Sequence, residues 1–318
     1  MKFGIQIENH LGFSYDDVLK VASEAERLGF EGMFICDHLQ GRNEPSASQS
    51  CLDPWVTLGA LASATKTLHF GTLVTAVGFR HPSLLAKMAA TLDTVSTGRF
   101  QLGLGAGWYE PEYESYGIPF PPIAKRMQQL REAIREIRMM WTQDPSTFTG
   151  KNYAIKNARS FPKPVNQKIW IGGTGEQNLL KIVADLADGW NASGTTTEEY
   201  EKKLKILEAY CSKSGRNPHE IERSYYATGL TARTEGEFQN IFRQYYGQFK
   251  KQDETMEAFT RRARENSRSF MGTIDEVIGK IDKFSKLGVT YIIFYFPDKE
   301  KLGLMREFAK YILPKFQS

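Results

Sequence analysis

The 318 residues are 41 % apolar and 25 % charged, with a formal net charge of +4. Such a chain can bury a large core, which excludes a disordered, collagenous or disulfide-stapled protein. The charge excess is too small to point to nucleic acid or a membrane surface, and the three scattered cysteines, Cys36, Cys51 and Cys211, form neither a disulfide framework nor a CxxC zinc pair.

Short β-rich runs alternate with longer amphipathic ones. "KFGIQIE" (Lys2–Glu8) predicts a first strand. Ser14 and Asp17 open a helix that runs to Leu28 and stops at Gly29. A strand follows at Gly32–Asp37, a helix from Asp53, a strand over Leu68–Ala76 and a helix from His81. "RFQLGLGAG" is the fourth strand, with a helix over Ile123–Thr142. Strands at Lys168–Gly173 and Gly189–Ser193 precede helices at Glu176–Ala187 and Thr197–Ser214. A strand at Arg223–Ala232, a helix at Gly272–Gly288, a strand at Val289–Phe296 and a helix from Lys299 to Tyr311 complete the chain.

Eight strands alternating with helices, several of them apolar on both faces, predict an α/β fold of the (β/α)8 TIM barrel type, with an open doubly wound sheet as the alternative. One domain spanning residues 1–318 is expected, with insertions after strands four, five and seven. The interrupting segments are Trp108–Pro122, Gln143–Pro164 (after the fourth helix) and Glu235–Phe270. The last carries Arg243, Lys250, Lys251, Arg261, Arg262 and Arg264 among acidic residues, and reads either as a solvated mixed-charge face or as a basic lid. With no leader-like apolar segment and no run of about 18 apolar residues, a soluble cytoplasmic protein is expected.

Barrel sites lie at the carboxyl ends of the strands. That rule selects Glu8–His10, Asp37–His38, Leu73–Ala76, Gly105–Trp108, Gly172–Gly175 and Asn191–Ser193. His38 is the leading catalytic candidate, because imidazole exchanges protons near neutrality; the alternative is a histidine that caps a strand. His10, His38, His69, His81 and His219 show no HxH or HExxH spacing, so no metal site is expected. "IGGTGEQN" (Ile171–Asn178) places glycines where a strand passes into a helix, which suits either a phosphate or a plain helix start. "GLGAGW" is not G-x-G-x-x-G, and no helix begins at Gly107; its glycines are read as letting backbone approach a flat ligand.

"GFEGMFICDHLQG", "LHFGTLVTAVGFRHPSLLAKMAATLDTVSTGRFQLGLGAGWYEPEYESYGIPFPP" and "IWIGGTGEQNLLKIVADLADGWN" together resemble the luciferase-like monooxygenase superfamily, and within it the oxidoreductases that use the deazaflavin coenzyme F420. The resemblance implies a hydride passed between coenzyme F420 and a small organic substrate, with His38 as acid/base. Asp37, Leu73, Val74, Thr75, Ala106 and Gly107 would line the ring, with a non-prolyl cis peptide at Leu73–Val74. Gly172, Gly173, Thr174 and Gly175 would receive the phosphate, and Trp108 and Ser193 would face the substrate. An FMN-dependent monooxygenase with a flavin reductase partner is the alternative, and a homodimer is expected. Sugar-phosphate dehydrogenases of this superfamily carry glutamate where this chain has Trp108. Glu8, Glu110 or Glu112 must then supply the acidic partner of His38 if one exists, and an aromatic Trp108–Tyr109–Tyr113 rim favours an apolar or aromatic substrate.

Overall fold

The computed structural model describes residues 1–316 apart from 43, 45 and 267. Its strands in chain order are β1 (Lys2–Ile7), β2 (Gly32–Ile35), β3 (His69–Thr72), β4 (Thr75–Ala76), β5 (Phe100–Gly105), β6 (Ser146–Thr149), β7 (Ala154–Ala158), β8 (Ile169–Gly172), β9 (Gly189–Ser193), β10 (Glu222–Ala232), β11 (Ser269–Thr273) and β12 (Tyr291–Tyr295). The helices are α1 (Tyr15–Leu28), α2 (Pro54–Ala64), α3 (Pro82–Val95), α4 (Glu110–Ser115), α5 (Ile123–Thr142), α6 (Leu179–Leu186), α7 (Thr197–Ser214), α8 (Glu235–Tyr246), α9 (Met256–Glu265), α10 (Ile274–Lys286) and α11 (Gly303–Tyr311). None of the described helices is long and apolar enough to cross a membrane.

The main sheet is parallel and runs β12–β1–β2–β3–β5–β8–β9, and β10 pairs with both β9 and β12 to close it. Eight positions around the ring make the (β/α)8 barrel. Local chemistry starts and stops several of its helices where the spacing predicts, whereas α6 begins at Leu179 rather than Glu176 and α11 at Gly303 rather than Lys299. Ser14 and Asp17 form a reciprocal capping box at α1, and Gly29 ends that helix in the left-handed region at φ 81°.

Two cores result. The larger lies between strands and helices. The smaller fills the barrel interior with Phe34, Leu73, Trp170, Tyr291 and Ile293, with Val74 packed against it. Phe34, Trp170 and Tyr291 touch pairwise at ring-centroid distances of 5.6–6.0 Å. Trp170 fits because Gly189 faces it: a Cβ there would lie 2.4 Å from the indole. This aromatic layer is the floor on which the site sits.

Three departures from the sequence expectation shape the molecule. The predicted strand Leu68–Ala76 is broken. Gly71 pairs with Gln101 and Thr75 with Leu104, so four steps on one strand face three on the next. The extra residue makes a bulge that contains Leu73–Val74, and the peptide joining them is cis. Secondly, Gln143–Pro164 precedes the fifth barrel strand rather than following it, and contains the antiparallel β6–β7 hairpin. Thirdly, Glu235–Phe270 is not wholly helical. After α8 and α9 the chain returns as β11 and pairs with Thr228–Ala232, beyond the stretch of β10 that pairs with β9. Two of its basic residues are paired with acidic ones, Arg262 with Glu254 inside the excursion, and Arg264 with Glu235 and with Glu276 of α10. That is the mixed-charge face rather than a basic lid.

Candidate active site

A cleft of about 440 Å³ opens at the carboxyl ends of the strands. Asp37, His38, Leu73, Val74, Gly107, Trp108, Gly172, Gly173 and Ser193 all line it. Glu8 lines it too, so the structure brings together residues from all six of the strand ends selected above. Ala106, Thr174 and Gly175 do not line the cleft, and Thr75 is fully buried, where its hydroxyl accepts the Trp55 indole N–H at 3.1 Å.

His38 follows β2, where the strand has ended and the chain turns. Its Nδ1 lies 3.1 and 3.3 Å from the two carboxylate oxygens of Glu112. Glu112 comes from α4, inside the first excursion, and its side chain is buried. Its Oε1 also accepts the backbone N–H groups of Leu39 at 2.7 Å and Gln40 at 3.3 Å. An ionised carboxylate only accepts. The hydrogen of His38 is therefore on Nδ1, which leaves Nε2 as the ring nitrogen with a free lone pair. Of the three glutamates that could partner His38, the fold selects Glu112. Glu8 is engaged elsewhere, accepting the Tyr226 hydroxyl at 2.7 Å.

Asp37 is buried and bonds Arg80 through Oδ2 at 2.6 Å, and Arg80 also reaches Asp53 at 3.0 Å. Burial pushes the Asp37 carboxyl above its ordinary range, against the pull of Arg80. The other oxygen of Asp37 has no hydrogen-bond partner, and neither has Oε1 of Gln6. Both residues belong to the lining of the cleft. Arg80, Gln6 and the cleft-lining Arg268 carry no motif and were not legible as site residues.

Val74 projects from the bulge toward β5 and β8. A Cβ on Gly105 would stand 2.6 Å from its Cγ2, and one on Gly172 would stand 2.7 Å from its Cγ1. These glycines make room for Val74, which corrects the reading of Gly105 as a place where backbone meets a ligand. Gly107, at φ 76°, is closed off by the Tyr113 hydroxyl. Trp108 stands at the rim, 62 % exposed, with its ring edge-on to His38 at 6.0 Å and the Arg42 guanidinium 5.5 Å over it.

Behind His38 lies His10, with ring centroids 4.7 Å apart. His10 is buried, and its Nε2 accepts from Arg42 Nη2 at 2.8 Å. Burial, then the neighbouring His38 and Arg42, pull its pKa down to about 3, so it is neutral beside His38.

Comparison with known proteins agrees with the barrel. The chain is 29 % identical over 340 residues to the F420-dependent glucose-6-phosphate dehydrogenase of Microbacterium testaceum (strain StLB037), covering 100 % of this chain and 98 % of that protein. A solved F420-dependent secondary alcohol dehydrogenase in complex with an F420-acetone adduct matches with a TM-score of 0.82 at 21 % identity, covering 100 % of this chain and 99 % of the other. The monooxygenase RslO1 from Streptomyces bottropensis matches with a TM-score of 0.82 at 22 % identity, over 99 % of this chain and 100 % of its own. At such identities the two structures establish the fold alone. The luciferase-like monooxygenase family model matches residues 1–291, and the chain belongs to that family.

Proposed function

We propose that this protein is an oxidoreductase that binds coenzyme F420 in the cleft and uses His38, held by Glu112, to move the proton that accompanies hydride transfer. The observation that carries the reading is the His38–Glu112 pair at 3.1 Å, placed beside Val74 in the cleft. The similarity to F420-dependent glucose-6-phosphate dehydrogenases supports the choice of coenzyme.

The residues present fit a deazaflavin ring. Asp37 Oδ1 and Gln6 Oε1 are acceptors that lack donors, and a flavin-like ring carries N–H groups. Gly172 and Gly173 line the cleft where β8 ends and would meet the phosphate of the side chain. When bound, the ring supplies the carbon that gains or gives hydride. The protein's part is positioning and proton transfer. Val74 and Leu73 form an apolar support beneath the ligand. Arg80 holds Asp37 in place. Glu112 fixes the tautomer of His38, whose Nε2 takes the proton of an alcohol as it is oxidised, or returns it to a carbonyl as it is reduced.

The rim favours an apolar or aromatic substrate. Trp108 stands at the position where a sugar-phosphate enzyme of the superfamily has its glutamate, and Tyr109 and Phe79 line the cleft with it. Titrating the purified protein with coenzyme F420 and with FMN tests the reading. Binding of coenzyme F420, with turnover abolished in His38→Ala, is the expected result. Tight FMN binding with no deazaflavin binding overturns it.

A further inference from the structure

One cluster beside the cleft is not used by the proton chemistry above. Cys36 Sγ lies 3.6 Å from His10 Nδ1 and 3.7 Å from Glu8 Oε2, and that oxygen lies 3.5 Å from His10 Nδ1. These three atoms form a nearly equilateral triangle. Its centre falls roughly 2.1 Å from each corner, the length of a zinc–nitrogen or zinc–oxygen bond and just short of a zinc–sulfur bond. Ligand atoms of His10, Cys36 and His38 also lie within 4.8 Å of one another, a group that does not include Glu8. The donor set of thiolate, imidazole and carboxylate suits a borderline-soft divalent ion rather than magnesium or calcium.

We propose that Glu8, His10 and Cys36 form a zinc-binding site in the cleft wall, which His38 completes as the fourth ligand by moving its ring toward the triangle, so that holding the metal and moving protons are mutually exclusive states of His38. The surroundings are built for such a role. Tyr226 donates to the far oxygen of Glu8 and aims the near one at the triangle. Without the metal the Cys36 thiol donates to Asn9 Oδ1 at 3.0 Å, a contact that zinc would replace. Cys36 enters as the thiol: on binding, its S–H bond breaks, a sulfur–zinc bond forms and one proton goes to solvent, with no change of oxidation state. Arg42 opposes the site. It donates to His10 Nε2 and so keeps the ring hydrogen on Nδ1, the nitrogen that must ligate. Arg42 is exposed, and zinc binding requires it to swing away while the ring hydrogen moves to Nε2.

Cobalt(II) is the probe, used with the full chain carrying Cys51→Ser and Cys211→Ser so that Cys36 is the single thiol. One equivalent of cobalt should give a thiolate-to-metal charge-transfer band and the visible bands of tetrahedral coordination, and one equivalent of zinc should bleach both. Adding Cys36→Ser should abolish the charge-transfer band and weaken zinc binding by roughly 100-fold or more, and His38→Ala should weaken it by about tenfold while keeping the band. Arg42→Ala should tighten zinc binding. Absence of the band from the folded single-thiol protein overturns the proposal whether or not the Cys36 variant folds, as does zinc affinity unchanged in a folded Cys36→Ser variant.

Discussion

Glu112→Gln is the sharpest probe of the proposed proton relay. The substitution keeps size and shape, and it keeps one oxygen for the Leu39 N–H that now bonds Oε1 at 2.7 Å. The amide nitrogen then occupies the place of Oε2, 3.1 Å from His38 Nδ1. An amide N–H donates, so Nδ1 must accept and the ring hydrogen moves to Nε2. His38 is then in the wrong tautomer to take a proton from substrate. Positioned proton transfer contributes about 10²–10⁴-fold to rate, and kcat should fall by about 10² or more. Folding should cost no more than about 1 kcal/mol, because the main backbone donor keeps its partner. Glu112→Ala differs: it strands the Leu39 N–H in a poorly solvated loop, which adds about 1–3 kcal/mol of instability. Steady-state kinetics, a cofactor titration and the ¹⁵N shifts of His38 separate these effects. An unchanged kcat in a Glu112→Gln protein whose tautomer has switched would refute the relay.

Three further outcomes follow from the same coordinates. Arg80→Met removes the partner of buried Asp37 and should destabilise the fold by about 3–5 kcal/mol in chemical denaturation, with Asp37→Asn in the same chain recovering most of the loss; no recovery would mean that the pair is not what Arg80 supports. Gly105→Ala places a methyl 2.6 Å from Val74 and should drive that side chain into the cleft, weakening cofactor binding by about tenfold, with Val74→Ala restoring it; a Gly105→Ala protein that binds normally would show that Val74 has room to yield. Glu136 is buried on α5 with His81 Nδ1 3.7 Å away, and burial, then the nearby Glu132, push its carboxyl up to about 7. The folded state then holds a proton that the unfolded chain gives up near pH 4.5, so this group's contribution is lost as pH rises from about 4.5 to about 7, by on the order of 3 kcal/mol at most. Urea midpoints near pH 5 and near pH 8 should converge in Glu136→Gln relative to the parent, and parallel shifts in the two proteins would rule this group out.

What was legible in the chain is what local pattern encodes. The α1 capping box, Gly29 and the doubly apolar strands are written in adjacent residues, and they fix the barrel order and the strand ends where His38 and Asp37 stand. The bulge at Leu73–Val74 left no trace in hydropathy, because both broken pieces remain apolar; only the family resemblance pointed to that bond. β11 was hidden because its five residues earn their place by pairing with β10 some forty residues upstream, and "SFMGT" abuts a helix start. Glu112 was visible only as one of three candidates. It is 74 residues from His38 and sits on a six-residue helix containing Pro111, too short for any periodic signal. The glycines around residue 105 were recognised as space-makers, but the occupant of the space is a side chain of the neighbouring strand.

The long strand β10 has a consequence for how this molecule can vary. Glu222–Tyr226 is zipped to β9, and Thr228–Ala232 is zipped to β11, so the excursion through α8 and α9 leaves and rejoins the wall along one continuous ladder. Both ends of that excursion are pinned in register, and Arg268 sits at the re-entry point on the cleft. The intervening chain is therefore an exchangeable cassette: lengthening, shortening or replacing it between its two fixed posts alters the border of the cleft while every barrel strand keeps its partner.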